Sequence, residues 1–364
     1  MNGDWTKRLL PNDPDGNLYR IDDHAAIGTG QFDYAGEDAA PYDITYLKKT
    51  NEARHDYSDI IRLTKVLNQA APETFRQEVD QVVNVRQWLR YLATNALIAN
   101  QEGGLATGRA DDFAIYSGIE DARFILLPHD LDTVMSIGER DFNSARLDIF
   151  VYRRLRGMQK LLPDDTQTIR EYYQVYLEML DDWFNSETID PVIDQILEGW
   201  VPNDKITKAK SFIVERSDYV LSRIPQENVT IPRPETLERI NDRMQRTTGN
   251  INFEGRFHVG DVGSIMIGGV EGSLSYGERT NPLTSGQWSW DSAASILSPG
   301  VNVLDVQYYS EPGGQGEIVH TPTETPMPTT SFTGPKTRVL SISSATSPSL
   351  LALSCASNQA SKST

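Results

Sequence analysis

Four acidic residues carry the chemical information in this sequence: Glu102, Asp112, Asp130 and Asp132. The last two close the segment Phe124-Ile125-Leu126-Leu127-Pro128-His129-Asp130-Leu131-Asp132, where an apolar run stops abruptly at carboxylates. Such a run reads as a buried strand, although periodicity alone also allows a helix. Asp130 and Asp132 are two residues apart, so on an extended chain their side chains point the same way. Paired carboxylates at the mouth of a buried strand are costly unless something positive meets them. A divalent cation is the usual partner, and Mg²⁺ in phosphate chemistry commonly takes one or two protein carboxylates. The plain alternative is a strand that ends in an acidic turn.

The elements around these residues must bring them together. Tyr57-Ser58-Asp59-Ile60-Ile61-Arg62-Leu63 opens a helix with Ile60, Leu63 and Leu67 on one face. Pro72 and Glu73 start the next, where a proline is tolerated. A third helix begins at Asn84, a good N-cap, and runs through Trp88, Leu92 and Asn95, which share a core face. It leads into the loop Asn100-Gln101-Glu102-Gly103-Gly104. Then Asp111-Asp112-Phe113-Ala114-Ile115-Tyr116 reads as a strand, 117–121 as a turn and 122–127 as the return strand. Helices are expected over 145–162, 167–184, 189–198 and 206–224, and a short strand near Leu18-Tyr19-Arg20-Ile21.

The texture changes at Pro225. Residues 226–249 read as a linker, and 250–320 as a small all-β sandwich with short strands and Gly-rich turns. Residues 321–364 are Ser/Thr/Pro-rich and read as a disordered tail. The domain reading is therefore 1–225, 226–249, 250–320 and 321–364, and the fold class is α+β. Trp288 and Trp290 alternate along one expected strand and are most simply core.

Bulk properties limit the partners. The 364 residues carry a formal charge of −17, which argues against broad nucleic-acid or anionic-membrane binding but leaves room for a local phosphate pocket. Cys355 is the one cysteine, which excludes an intrachain disulfide and a cysteine-based zinc site. The first residues have no apolar stretch of the signal-peptide kind, and no run approaches ~18 apolar residues, so no transmembrane segment is expected.

The order of parts is a loop acid, a second acid leading into a strand, then a carboxylate pair beyond a hairpin. Protein kinases present a related layout, with a catalytic-loop acid followed by two metal-holding side chains. Ala99-Asn100-Gln101-Glu102, Asp112-Phe113-Ala114-Ile115-Tyr116 and Leu127-Pro128-His129-Asp130-Leu131-Asp132 resemble three motifs of the spore-coat protein H (CotH) kinase-like family. Gly16-Asn17-Leu18-Tyr19-Arg20, Tyr91-Leu92-Ala93 and Arg216-Ser217-Asp218-Tyr219-Val220 resemble further segments of it, so the similarity covers about residues 16–224. The resemblance implies a mostly helical kinase-like C-lobe with a hairpin active site, binding ATP with Mg²⁺ and phosphorylating protein Ser/Thr. It also implies an extracytoplasmic or cell-surface setting. By position, Glu102 takes the catalytic acid slot. Asp112 and Asp130 take the metal and cofactor slots, and Asp132 stands as a further metal carboxylate.

The chain departs from the family pattern. Glu102 replaces Asp, Asp112 replaces Asn and His129 replaces an aromatic residue. The similarity begins where the family's second lobe begins, so a lobe with an ATP-binding lysine is expected to be missing. Gly28-Thr29-Gly30 is a bare turn signal, and Lys48-Lys49 reads as a solvated pair. Two other functions remain open on sequence grounds. One is a catalytically degraded module that binds metal, nucleotide or a partner. The other is a hydrolase using Glu102 and Asp130 as acid and base.

Overall fold

A computed structural model describes residues 3–21, 30–100, 112–129, 131–136, 145–151, 155–164, 166–224, 238–240, 243–246, 252–275, 286–291, 306–319, 338–345 and 350–356. The chain divides into two compact units, Met1–Arg223 and Ile224–Thr364. Its mixture of helices and antiparallel sheets is that of an α+β protein.

The first unit runs, in chain order, α1 Gly3–Leu9, β1 Asn17–Ile21, α2 Ala40–Thr45, β2 Leu47–Lys48, α3 Ser58–Gln69, α4 Phe75–Val79, α5 Val85–Leu97, β3 Phe113–Ser117, β4 Ile125–Pro128, α6 Thr166–Asp182, α7 Ser186–Leu197 and α8 Asn203–Arg223. The periodic apolar positions of α3 face inward: Ile60, Leu63 and Leu67 are buried. Asn84 caps α5 by accepting from the Gln87 N–H at 3.2 Å, and Trp88, Leu89, Leu92 and Ala96 fill its inner face. Asn185 caps α7 in the same way, accepting from the Thr188 N–H at 3.0 Å.

The four strands form one antiparallel sheet in the order β2-β1-β3-β4. Tyr19 pairs with Ile115, and Ile115 with Leu126. Asp13 fastens the hairpin turn, its carboxylate accepting from the N–H groups of Ile119, Glu120 and Asp121 at 2.8, 3.0 and 3.1 Å. Gly16 allows the closest approach in this corner: a Cβ there would lie 2.1 Å from the Ser117 carbonyl oxygen.

Among the described residues, the helix expected over 145–162 is replaced by shorter turns. The described residues make turns at 145–150, a 3₁₀ turn at Arg156–Met158 and a π turn at Lys160–Asp164. Tertiary contacts from other elements hold this backbone. Tyr172 and Tyr176 on α6 both donate to the Ile149 carbonyl, at 3.0 and 2.9 Å, and Arg216 on α8 takes those of Ala145 and Leu147. Gly157 also packs flat on the backbone of Gln31 and Phe32, leaving no room for a side chain.

Among its described residues the second unit has three antiparallel sheets, ordered β10-β11-β7, β13-β12-β8-β9 and β15-β14-β6-β5. Their strands are β5 Glu238–Ile240, β6 Arg243–Arg246, β7 Asn252–Phe257, β8 Ser264–Ile267, β9 Val270–Glu271, β10 Ser273–Ser275, β11 Gly286–Asp291, β12 Val306–Glu311, β13 Gln315–Ile318, β14 Arg338–Ala345 and β15 Leu350–Ala356. Phe257, Val262, Ile265, Ile267 and Tyr308 are buried. Trp288 and Trp290 pair with Gly255 and Phe253 across β11 and β7. Strands β5 and β6 fall within the stretch read as a linker. β14 and β15 fall within the stretch read as a loose tail, paired from Val339 with Ala356 to Ala345 with Leu350. The apolar residues Val339, Leu340 and Ile342 in one strand and Leu350, Leu351 and Leu353 in the other give a Ser-rich composition a strand pattern. Among the described residues no helix is long and apolar enough to cross a membrane.

Candidate active site

Helix α5 is the frame of the site. At its N-terminal end the side chain of Gln87 forms two hydrogen bonds with Leu126 of β4: Nε2 donates to the carbonyl at 2.7 Å, and Oε1 accepts from the N–H at 2.9 Å. One turn of chain earlier, a parallel bridge joins Val83 to Phe124. The Phe124 N–H donates to Val82 O at 2.8 Å, and the Phe124 carbonyl accepts from the Asn84 N–H at 3.1 Å and from the Trp88 indole at 2.8 Å. Strand β4, which ends at Pro128-His129, is thereby locked to α5.

At its C-terminal end α5 delivers the loop that leads to Glu102. Asn100 is buried, and both its N–H and its Nδ2 donate to Asn95, each at 2.9 Å. The Met135 N–H donates to the Ile98 carbonyl at 2.7 Å, bringing the segment beyond Asp132 back to the same place. Arg216 reaches the Ala96 carbonyl from α8 at 2.9 Å.

Glu102 and Asp130 lie outside the described residues. Asp112 immediately precedes β3. The register pairs Phe113 with Pro128, so one step further Asp112 stands opposite His129, next to position 130. Asp112 is half-buried and its charge is felt by Tyr91 on α5. Burial holds the Tyr91 hydroxyl well above the usual tyrosine range; Asp112 pushes it the same way, and the hydrogen bond with Asn95 opposes both. Asp132 is exposed and accepts from the Thr133 hydroxyl at 3.3 Å. Among the described residues no three His, Cys, Asp or Glu side chains converge as a metal site. The donor set that the sequence offers, Asp112, Asp130 and Asp132, is all carboxylate, which suits a hard cation such as Mg²⁺.

The backbone is strained at the same junctions. Ala99, Asp112, Met135 and Ser136 have φ of 49°, 52°, 56° and 57°. Aspartate tolerates this left-handed region; alanine and methionine do so at a cost of order 1–3 kcal/mol each. Such residues concentrate at functional sites.

Lys48 is not the solvated residue that its neighbour Lys49 suggested. It is only 8% exposed, with its ammonium over the rings of Tyr19 and Tyr57, 5.1 and 5.4 Å from their centres. Nζ donates to the Tyr19 hydroxyl at 3.1 Å and to the Asp56 carbonyl. Tyr19 in turn donates to Asp59 at 2.6 Å. Burial pushes the ammonium below the ordinary lysine range, while Asp59 and Asp56 pull it back. Lys48 sits on β2, at the opposite edge of the sheet from β4.

Gln87 escaped the sequence reading, and Arg216 entered it only as part of a segment resembling the family. Gln87 gave no signal, because a glutamine on a helix surface is ordinary. Arg216 did: it is a lone charge on the apolar face formed by Phe212, Ile213 and Val220.

Comparison with known proteins agrees with this geometry. The family model described as CotH kinase protein matches residues 5–206. The inner spore coat protein H of Bacillus subtilis (strain 168) is 25% identical over 204 residues, covering 55% of this chain and 53% of that protein. The chain thus spans about half the length of this curated relative. The matched region contains the α5 frame, the β3–β4 hairpin and all four acidic positions, and the chain belongs to the CotH kinase protein family.

Proposed function

We propose that the first unit is a CotH-type phosphotransferase that uses Mg²⁺ and ATP to phosphorylate Ser or Thr of a protein substrate. The observation that carries this reading is the return of three chain segments to α5: the loop toward Glu102, the hairpin ending at Asp112 and His129, and the segment after Asp132 held by Met135 and Ile98. Asp112 and Asp130 would hold the metal, with Asp132 as a further carboxylate. Bound Mg²⁺ would neutralise the phosphate oxygens. Glu102 would accept the proton of the attacking hydroxyl, a role that requires it within hydrogen-bond reach of that group.

A second reading, a family member that binds without turnover, is favoured by Glu102 and Asp112. Glutamate adds a methylene to the base position, where a displacement near ~1 Å can lower the rate about a hundredfold. Aspartate adds a negative charge beside the metal. Under either reading the named relative supports a spore-coat or surface location. An immunoglobulin-like sandwich in the second unit is part of the proposal and is supported by its antiparallel strand pairs.

The deciding measurement is transfer of labelled γ-phosphate from Mg²⁺–ATP to a Ser/Thr-containing protein substrate. Wild-type protein should transfer it, and Asp130→Asn should lose both transfer and Mg²⁺-dependent nucleotide binding. Nucleotide binding without transfer selects the second reading. Unchanged metal and nucleotide binding in Asp130→Asn removes the carboxylates from the mechanism.

A further inference from the structure

We propose that Arg216 is a positioning residue for this site, holding the segment downstream of Asp132 against the C-terminal end of α5. Arg216 lies beyond the matched residues 5–206. It is 0% exposed. Its Nη1 donates to the carbonyls of Ala145 and Leu147 at 3.0 and 2.6 Å, and its Nη2 to the carbonyl of Ala96 at 2.9 Å. Its guanidinium lies 5.4 Å from the centre of the Tyr219 ring.

Ala96 is in the last turn of α5, two residues before Ile98 and four before Asn100. The Ala96 carbonyl already accepts from the Ala99 N–H at 3.0 Å, and the planar guanidinium takes its second lone pair. One side chain therefore ties the last turn of α5 to the backbone at Ala145 and Leu147. The Met135–Ile98 hydrogen bond lies between these two anchor points in sequence.

Stability alone is a poor reason for this residue. A buried cation is expensive to desolvate, and well-packed apolar replacements of buried charges are often neutral or stabilising. What an apolar side chain cannot do is bond three carbonyls from two segments at fixed angles. Lysine can bond carbonyls but lacks the planar fork.

The inference deepens the phosphotransfer reading and rests on it for its catalytic consequence, but its geometric part is measured without turnover. The test compares Arg216→Met and Arg216→Lys in the full chain. Amide hydrogen exchange would be followed at Met135, whose N–H bonds Ile98, and at Ile61 in α3. In Arg216→Met the Met135 amide should exchange at least about tenfold faster, with Ile61 unchanged. Arg216→Lys should fall between the variant and wild type. If wild type transfers phosphate, kcat should fall about a hundredfold in Arg216→Met with KM for ATP within about threefold.

Equal acceleration at Met135 and Ile61, or none at either, overturns the proposal. Should Arg216→Met not fold, Arg216→Lys decides by the same two amides, and failure of both to fold makes Arg216 a general core residue and overturns it too. A wild type without transfer counts against the phosphotransferase reading and leaves the exchange result to judge Arg216. An active wild type with unchanged exchange and kcat in the variant counts against Arg216 alone.

Discussion

The side chain of Gln87 pairs with Leu126 as a neighbouring strand would, with one hydrogen bond to its carbonyl at 2.7 Å and one from its N–H at 2.9 Å. β4 is an edge strand, so its outward backbone groups need a partner. A helix cannot supply that partner from its own backbone, whose groups are already paired along the axis. A carboxamide can, because it carries a donor and an acceptor spaced like those of a peptide.

Gln87→Leu should therefore cost about 2–3 kcal/mol, since two half-buried backbone groups lose their partners. Gln87→Glu should also destabilise, because its carboxylate keeps an acceptor for the Leu126 N–H but turns a second acceptor oxygen against the Leu126 carbonyl. Urea unfolding followed by Trp fluorescence measures both. A Leu variant as stable as wild type would show that water takes over the edge of β4 at no cost.

Lys48 makes a contrasting prediction. Its side chain is buried, and its ammonium lies over two tyrosine rings and is partly desolvated. Lys48→Met keeps the packing and removes the buried charge, so its cost should stay within about 1–2 kcal/mol. Lys48→Ala leaves a cavity and should cost about 2–4 kcal/mol. Equal effects in the two variants would mean that the charge, and not the stem, is what the site holds.

The acid limit of stability has an identifiable contributor. Asp56 accepts from the Ser58 N–H at 3.0 Å at the start of α3, and this bond holds its carboxyl below the usual carboxylate range, with Lys48 pulling the same way. The folded-state pKa is lowered, so the unfolded chain binds the proton more tightly. The contribution is complete above the unfolded value of about 4 and is lost as pH falls through the folded value. Asp56→Ala should cost on the order of 0.5–1 kcal/mol at pH 7. The difference from wild type should shrink below about pH 4. A gap that stays constant to pH 2 would assign the loss to packing instead.

Much of this architecture was legible in the sequence because it is local. Ile60, Leu63 and Leu67 share a helical face in any context, Asn84 caps the helix that follows it, and the alternation around Ile115 and Leu126 makes a hairpin. The family, too, could be read from short segments such as Pro128-His129-Asp130-Leu131-Asp132. What was not legible depends on groups far apart in sequence. The apolar spacing from Leu147 to Leu162 fits a helix, and nothing near it reveals that Tyr172, Tyr176 and Arg216 will occupy its carbonyls. The burial of Lys48 likewise depends on Tyr19 and Tyr57, which reach it from β1 and the start of α3.

Fastening both ends of the reactive segments to α5 has an evolutionary consequence. The chain between Asn100 and Asp112 leaves the helix beside Asn95 and re-enters the sheet opposite His129, so its two anchor points are set by other parts of the molecule. Lengthening such a span adds closure entropy only logarithmically. A few residues added between these anchors should therefore cost little stability, which leaves the length of this span open to change over evolution.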